Sequence, residues 1–274
     1  MKFINTIIIS LLLFVSCSNP ASKTHPQRAA FLEGASNFRD LGGYSAGNQQ
    51  TVWRKLFRSQ GLAQLTDNDL AILREIGIKT IIDFRGDSEI KAAPSRLPEG
   101  VNIIRLPIET TNSNDTTLSI MERIARGDID SLQAITFMEQ ANRSFVIDFI
   151  PQYRDFFKTL LQPDAYPIVF HCAAGKDRTG FAAALILSAL GVDWNTVMDD
   201  YLLTNTYLIR SSIAPEAPPE AMPAMRQLWG VRESYLLAAR NQIISNYGSI
   251  DNYLQQAMGV GDAEKAQLRK YLLK

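Results

Sequence analysis

The chain has 274 residues, of which 46% are hydrophobic and 20% charged, so it can bury one sizeable core. Lys plus Arg and Asp plus Glu both number 28, and no long basic run occurs. This balance excludes a global positive field that would recruit nucleic acid or an anionic membrane surface, so any anion-binding site must be local.

The first 17 residues have the pattern of a bacterial lipoprotein signal peptide. Lys2 supplies a positive end, residues 7–15 are almost uninterrupted apolar side chains, and Ser16 precedes Cys17. The apolar stretch is shorter than the ~20 residues of a membrane-spanning helix. We therefore predict lipidation of Cys17 and a secreted, membrane-anchored protein of the bacterial cell envelope. Ordinary signal cleavage nearby is the alternative.

Residues 18–30 are polar and contain two prolines, which predicts a flexible tether, and residues 31–274 are predicted to form one domain. If Cys17 carries lipid, Cys172 is the only thiol of the mature protein and no internal disulfide can form. Such a thiol is either a buried inert side chain or a reactive group, and its neighbours must decide.

The first part of this domain predicts a strand, a helix and a second strand. We expect a strand over residues 51–58. A helix should follow Thr66 and end at Gly77, with Asp69 in the capping-box position. The β-rich run of residues 79–84 comes next. This order of elements predicts an α/β sheet.

The second part is predominantly helical. A polar loop over residues 110–117 precedes a helical region that extends to about residue 162. An apolar stripe at spacings of three to four residues is typical of a core-facing helix surface rather than a ligand cage; it comprises Phe145, Phe149, Tyr153, Phe156, Phe157 and Leu160. A short buried strand over residues 166–170 and an apolar helix over residues 179–190 follow.

The C-terminal part predicts three further helices. They cover residues 193–205, residues 225–244 and residue 262 to the end. Residues 214–223 contain four prolines and are predicted to be irregular, as a surface loop that could act as a lid. No repeat or second domain is evident.

The chemistry is concentrated between the strand and the apolar helix, in the sequence HCAAGKDRTG of residues 171–180. Peptide N–H groups of such a loop converge at a helix N-terminus, which is an anion site. Cys172 and Arg178 enclose five residues, a length suited to surround a tetrahedral oxyanion. We predict that phosphate is bound by Ala173, Ala174, Gly175, Lys176, Asp177, Arg178 and Thr179.

Cys172 is the predicted nucleophile, because donors that bind phosphate also stabilise a thiolate. Thr179 can hydrogen-bond the sulfur, and His171 is expected to order the loop backbone. A Cys-His protease pair is disfavoured, since adjacent side chains on a strand point to opposite faces. The chain has only two histidines, His25 and His171, so neither a metal site nor a cofactor is expected.

The loop resembles the His-Cys-x5-Arg-Thr/Ser signature of the protein tyrosine phosphatase superfamily. Residues 37–43 (NFRDLGG), residues 82–85 (IDFR) and residues 200–205 (DYLLTN) are similar to the bacterial tyrosine and phosphoinositide phosphatase family typified by a secreted mycobacterial enzyme. The resemblance implies a central, mostly parallel sheet flanked by helices, with helical insertions. It also implies thiolate catalysis by Cys172 with Arg178, and substrates that can include phosphotyrosine, phosphoserine and phosphoinositides.

Two carboxylates compete for the role of general acid. Asp83 ends a predicted strand, where α/β sites form, and is the first candidate, although it could instead pair with Arg85 or Arg178. Asp177, inside the loop, is the second. Asp87 and Glu89 are predicted to lie in a solvated turn. Arg39 and Asp40 are expected to brace the loop from behind.

The sequence therefore predicts a cysteine-dependent hydrolase of phosphorylated proteins, of tyrosine or dual specificity. An inositol phosphate or phosphoinositide phosphatase is the alternative, for which Lys176 and Arg85 would supply extra cations near the mouth of the site. A lipid-anchored module that binds phosphoanions without turnover is the alternative outside enzymes.

Overall fold

The computed structural model describes residue 28 and residues 32–109, 117–208 and 218–274. The predicted signal peptide with Cys17, most of the predicted tether, and residues 110–116 and 209–217 lie outside the described residues. The strands are β1 (Arg39–Asp40), β2 (Ser45–Ala46), β3 (Gln49–Gln50), β4 (Leu56–Ser59), β5 (Thr80–Asp83), β6 (Asn102–Arg105) and β7 (Ile168–His171).

Helices make up most of the remaining described chain. They are α1 (Asp67–Ile76), α2 (Asp87–Ala92), α3 (Thr117–Ala125), α4 (Ser131–Ile147), α5 (Ile150–Leu160), α6 (Asp177–Leu190), α7 (Trp194–Leu202), α8 (Thr204–Tyr207), α9 (Met222–Trp229), α10 (Glu233–Tyr247), α11 (Ile250–Gln256) and α12 (Asp262–Leu272). Short 3-10 turns cover Pro163–Ala165 and Pro219–Ala221.

Five strands form one mixed sheet in the order β1-β4-β7-β5-β6. Only β1 and β4 are antiparallel, and the other neighbours are parallel. The predicted α/β class with a mostly parallel sheet is confirmed. In this register Ser59 and Asp83 both lie beside His171. The carboxyl ends of β4, β5 and β7 therefore meet at one edge, where open α/β sheets place their sites.

Successive side chains of a strand point to opposite faces of the sheet, and both faces of this sheet are covered by a hydrophobic core. Phe57, Ile81 and Val169 pack on one face against a smaller core that includes residues of α1. Ile82 and Phe170 belong to the larger core on the other face, which the helices after β6 complete. Strand β7, at the centre of the sheet, accordingly has three consecutive apolar residues, at positions 168–170.

The aromatic stripe predicted as core is buried inside the larger cluster. Five of its six residues are at most 1% exposed, and Phe149 packs against the cluster while partly buried. The Tyr153 ring meets Phe181 of α6 edge to face, with 4.9 Å between centroids. Helices α4 and α5, inserted between β6 and β7, therefore pack directly on the helix that follows the predicted phosphate loop.

Local signals placed α1 correctly. The Thr66 side chain accepts a hydrogen bond from the Asp69 amide, and the Asp69 side chain accepts one from the Thr66 amide. Gly77 ends the helix at φ +78°. The strand predicted over residues 51–58 is shorter, because Arg54 adopts φ +61° and the strand starts only at Leu56.

Two C-terminal predictions needed revision. The helix predicted over residues 193–205 is divided into α7 and α8, and the one predicted over residues 225–244 is interrupted at Gly230. Of the predicted irregular segment 214–223, the last two residues open α9. Proline is tolerated there because first-turn amides have no partner within the helix.

Both ends of the described chain pack on the turn after β1. Arg28, assigned above to the tether, is 4% exposed, and its guanidinium lies 3.6 Å from the centroid of the Tyr44 ring. At the other end, Gln50 and Lys274 exchange two backbone hydrogen bonds of 3.0 Å, and Val52 donates to the Leu272 carbonyl. No helix within the described ranges is long and apolar enough to span a membrane.

Candidate active site

The predicted phosphate loop connects the carboxyl end of β7 to the N-terminus of α6. Cys172 is 2% exposed and follows directly after the strand. Helix α6 starts at Asp177, and its N-cap residue Lys176 makes no capping side-chain bond, unlike Thr66 at the start of α1. Uncapped first-turn amides and the helix dipole favour a bound anion. The backbone next to Cys172 is thus suited to a phosphoryl group.

Gly175 gives the loop its shape. Its φ is +66°, and a Cβ atom there would lie 2.2 Å from the Ser59 carbonyl oxygen, closer than any side chain allows. The Gly175 carbonyl accepts hydrogen bonds of 2.9 Å from Asn37 Nδ2 and from Arg58 Nη2. Glycine is required here because the loop backbone is pressed directly onto the end of β4.

A buried charge network holds the loop from behind. Asp200 on α7 pairs with Arg39 Nε at 3.1 Å and with Arg58 Nη1 at 2.7 Å, and it accepts a 2.8 Å bond from Tyr44 Oη. Burial alone would raise the pKa of Asp200, but the charges of Arg39 and Arg58 hold it well below the usual range. Burial and the Arg39 charge lower the pKa of Arg58 to about 10.

The two residues predicted to brace the loop have different roles. Arg39 also donates to the Asn37 side chain, and Asn37 in turn donates to the loop carbonyls of Ala174 and Gly175. Asp40 has no such contact: its carboxylate accepts from the backbone amides of Gly42 and Arg54, at 2.7 and 2.6 Å. Asp40 therefore shapes the turn that follows β1 instead of bracing the phosphate loop.

Arg178 is fixed by a partner that the sequence analysis had placed in solvent. Its Nη1 and Nη2 atoms donate to the two Glu89 carboxylate oxygens at 2.7 and 2.8 Å. Burial alone would raise the pKa of Glu89, but the hydrogen bonds and charge of Arg178 lower it. The solvated turn predicted for Glu89 is corrected, whereas Asp87 is exposed and pairs with Arg105 on the surface.

Asp83 and Arg85 form a buried pair beside the loop. Arg85 Nη2 lies 2.8 Å from Asp83 Oδ2, and Asp83 also accepts from the Arg85 amide. Burial alone would raise the pKa of Asp83, but the hydrogen bonds of Arg85 lower it. Arg85 further donates to the Ala93 carbonyl and Ser95 Oγ. Asp83 thus pairs with Arg85, which is the alternative to a role as general acid. The charge of Arg85 is compensated by the same pair.

The ammonium group of Lys176 is likewise paired within the protein. Its ammonium donates to the backbone carbonyls of Leu228 and Gly230, at the end of α9, and lies 3.1 Å from Asp177 Oδ2. The inositol phosphate alternative needs Lys176 as an extra cation near the mouth of the site, but its charge is already paired. Asp177 remains 14% exposed in its side chain, and its other oxygen accepts from Tyr201 Oη at 3.2 Å.

His171 precedes Cys172 at the end of β7, and Thr179 lies in the first turn of α6. His171 Nδ1 lies 3.3 Å from the Cys172 carbonyl oxygen, and burial lowers the pKa of the imidazole. The Thr179 hydroxyl is buried and has no hydrogen-bond partner among the described residues. Its bond to the Cys172 sulfur stays a prediction, while a neutral His171 suits a role in ordering the loop.

Sequence reasoning missed four residues that position the loop: Asn37, Arg58, Glu89 and Asp200. Arg58 is predicted only as the last residue of a strand. Asn37 and Asp200 enter the sequence interpretation only within motifs that are similar to the family. A local signal for Glu89 did exist, because it stands three residues after Gly86, whose amide it caps at 2.9 Å.

Comparison with known proteins agrees with this geometry. Residues 30–274 match the model of the tyrosine phosphatase family. The triple specificity protein phosphatase PtpB of Mycobacterium tuberculosis is 31% identical over 88% of this chain and 98% of its own length. A putative tyrosine-protein phosphatase of Cupriavidus necator is 32% identical over 87% and 86%.

Two solved structures, P. aeruginosa TpbA and the Siw14 catalytic core, align over 73% and 78% of this chain and 96% of each of theirs. Their TM-scores are only 0.30 and 0.37, at 16% and 15% identity, so the assignment does not depend on them. With the family model covering nearly the whole described chain, the protein belongs to the tyrosine phosphatase family.

Proposed function

We propose that the protein hydrolyses phosphate monoesters through a cysteinyl-phosphate intermediate on Cys172. One observation carries the proposal: Cys172 opens the loop that leads to the uncapped N-terminus of α6, and it interacts through space with the guanidinium of Arg178, which Glu89 holds in place with two hydrogen bonds. A phosphoryl group bound by the amides and Arg178 has its phosphorus next to the sulfur. A planar guanidinium also matches two phosphoryl oxygens.

The reaction proceeds in two displacements. The Cys172 thiolate attacks phosphorus, the bond from phosphorus to the ester oxygen breaks, and a general acid protonates the leaving alcohol or phenol. Water then attacks the cysteinyl phosphate, the same carboxylate takes its proton, and the S–P bond breaks to release inorganic phosphate and the thiolate. A hydrogen bond from Thr179 would stabilise the departing sulfur.

The contacts favour Asp177 over Asp83 as the acid. Asp83 is held by the side chain and amide of Arg85 and keeps a lowered pKa, so it would rarely carry a proton to donate. Asp177 lies inside the loop at the start of α6 and is partly exposed. It can meet the leaving oxygen while Arg178 holds the phosphoryl group.

Phosphoproteins are the proposed substrates, with tyrosine or dual specificity. The relatives named above are a triple specificity protein phosphatase and a putative tyrosine-protein phosphatase, which supports this class. Phosphoinositides and inositol phosphates remain the second candidate. The occupied contacts of Lys176 and Arg85 count against extra cations for multiply phosphorylated rings.

Kinetics on a panel of phosphopeptides and inositol phosphates tests the substrate class, and Cys172→Ser tests the mechanism. The variant should lose turnover but still bind phosphate or vanadate, because the amides and Arg178 remain. Turnover close to that of the wild type would refute the thiol mechanism. Binding without turnover in the wild type itself would favour the non-catalytic phosphoanion module.

The acid is tested by leaving-group dependence. Asp177→Asn should lose most activity on phenyl phosphate, whose oxygen leaves as a strong base, and little on esters of acidic phenols. Asp83→Asn should reduce both rates about equally. The opposite pattern would return the acid to Asp83.

We also propose that the protein is secreted and anchored to the membrane by lipid on Cys17. This proposal is supported by the apolar stretch that ends at Ser16-Cys17 in the sequence. Mass analysis of the mature N-terminal peptide should find an acylated Cys17. A free Cys17 in a quantitatively released form, or cleavage elsewhere, would contradict it.

A further inference from the structure

The hydroxyl of Tyr201 donates to a carboxylate of the phosphate loop. Tyr201 is 1% exposed and stands on α7 next to Asp200, which braces the loop. Its Oη lies 3.2 Å from Asp177 Oδ1, while Lys176 Nζ lies 3.1 Å from Asp177 Oδ2. Each carboxylate oxygen therefore has one donor, and the two donors fix the orientation of the carboxylate.

The space for the Tyr201 ring beside Gly180 of α6 is narrow. A Cβ atom at Gly180 would lie 2.8 Å from two ring carbons of Tyr201 and 3.3 Å from Arg58 Nη2. The glycine that ends the HCAAGKDRTG motif thus leaves the space in which the ring packs against α6. The packing aims the hydroxyl at the first residue of that helix.

Few other charged or titratable groups face Asp177. Besides Lys176 and Tyr201, the phenol groups of Tyr153 on α5 and Tyr235 on α10 act on it through space. Both hydroxyls donate elsewhere, to the Arg178 and Gln227 carbonyls. Burial, followed by the Asp177 charge, raises the pKa of Tyr201 well above 10, so its hydroxyl stays a donor at any working pH.

We propose that Tyr201 is a positioning residue for the general acid: its hydroxyl, with the Lys176 ammonium on the other oxygen, orients the Asp177 carboxyl group toward the leaving group. The proposal rests on the function proposed above. Removing the hydroxyl leaves one carboxylate oxygen without its donor, so the carboxyl group should meet the leaving oxygen in the reactive geometry less often. The loss should be largest for substrates whose leaving oxygen needs a proton.

The test compares Tyr201→Phe with Tyr166→Phe in the full chain. Tyr166 is also buried, and its hydroxyl donates to the Leu160 carbonyl before β7, at the end of that strand opposite to Cys172. We expect Tyr201→Phe to slow phenyl phosphate hydrolysis about 3- to 10-fold and to spare esters of acidic phenols. Tyr166→Phe should leave the ratio of these two rates unchanged.

A double-mutant cycle separates this role from a merely structural one. In an Asp177→Asn background, Tyr201→Phe should cause no further leaving-group-dependent loss. An equal loss on both kinds of ester, or an equal loss in both backgrounds, would overturn the proposal. If Tyr201→Phe does not fold, Gly180→Ala provides the second variant, since it crowds the ring but retains the hydroxyl, and it should cause a loss with the same leaving-group dependence.

The outcomes also distinguish this proposal from the proposed function. If Asp177→Asn shows no leaving-group dependence, the role of Tyr201 fails together with that choice of acid. The thiol mechanism would still stand, because it is judged separately by Cys172→Ser.

Discussion

The buried carboxylate of Asp200 offers the sharpest test of what holds the phosphate loop. Asp200→Asn keeps the shape of the side chain but removes the charge that Arg39 and Arg58 share, and all three side chains are at most 1% exposed. Removing one partner of a buried ion pair costs about 3–5 kcal/mol. At about 2–4 °C per kcal/mol for a domain of this size, the thermal midpoint should fall by roughly 6–20 °C.

The matched control is Asp67→Asn, which breaks an Arg-Asp pair whose side chains are 47% and 92% exposed. An exposed pair contributes at most about 1 kcal/mol, so its midpoint should move little. Calorimetry of both variants beside the wild type gives the comparison. Equally small shifts of the thermal midpoint in Asp200→Asn and Asp67→Asn would refute the argument that the buried network stabilises the fold around the loop.

The lowered pKa of Asp200 also predicts how the stability difference between the wild type and Asp200→Asn depends on pH. A group whose pKa is lowered by folding contributes stability above its unfolded pKa, about 3.9 for aspartate, and loses it as the pH falls through the folded value. The gap between wild type and Asp200→Asn should therefore be constant from neutral to mildly acidic pH. It should narrow only in strong acid, and a gap that closes near pH 6 would contradict the assignment.

Three further predictions concern the loop itself. Glu89→Gln should reduce kcat/KM about tenfold or more, because Arg178 loses a charged partner, while Asp87→Asn on the same helix should not. Gly175→Ala should abolish activity, since its Cβ meets the Ser59 carbonyl, whereas Gly77→Ala has equal backbone strain but open space and should cost only about 1–3 kcal/mol of stability. Iodoacetate should inactivate the protein by alkylating Cys172 and phosphate should protect it, because both anions would occupy the same loop; labelling that phosphate does not slow would refute the anion site.

Features with local signals could be predicted from the sequence. The Thr66 capping box, the apolar strands and the aromatic stripe depend on residues close in the chain, and all three were predicted. Strand β6 was missed because it lies at the sheet edge, where three of its four residues are exposed and no apolar run marks it.

The partners of the site residues could not be predicted, because they come from distant parts of the chain. Glu89 meets Arg178 across 89 positions, and Lys176 meets the Leu228 carbonyl across 52. The sequence alone shows that a cation is present, but only the fold shows which acceptor neutralises it. For this reason the sequence predicts Lys176 and Arg85 as extra cations near the mouth, whereas the structure pairs them with Asp177 and Asp83.

The backbone pairing of Gln50 with Lys274 has a consequence for how the protein can be divided. All residues of the phosphate loop, and the helix that follows it, are present by residue 190. A fragment ending there would nevertheless lack Asp200, and one ending before residue 272 would leave Gln50 and Val52 without their partners beside the turn that carries Asn37. The catalytic motif is short, but the smallest unit able to hold it in shape extends almost from Arg28 to Lys274.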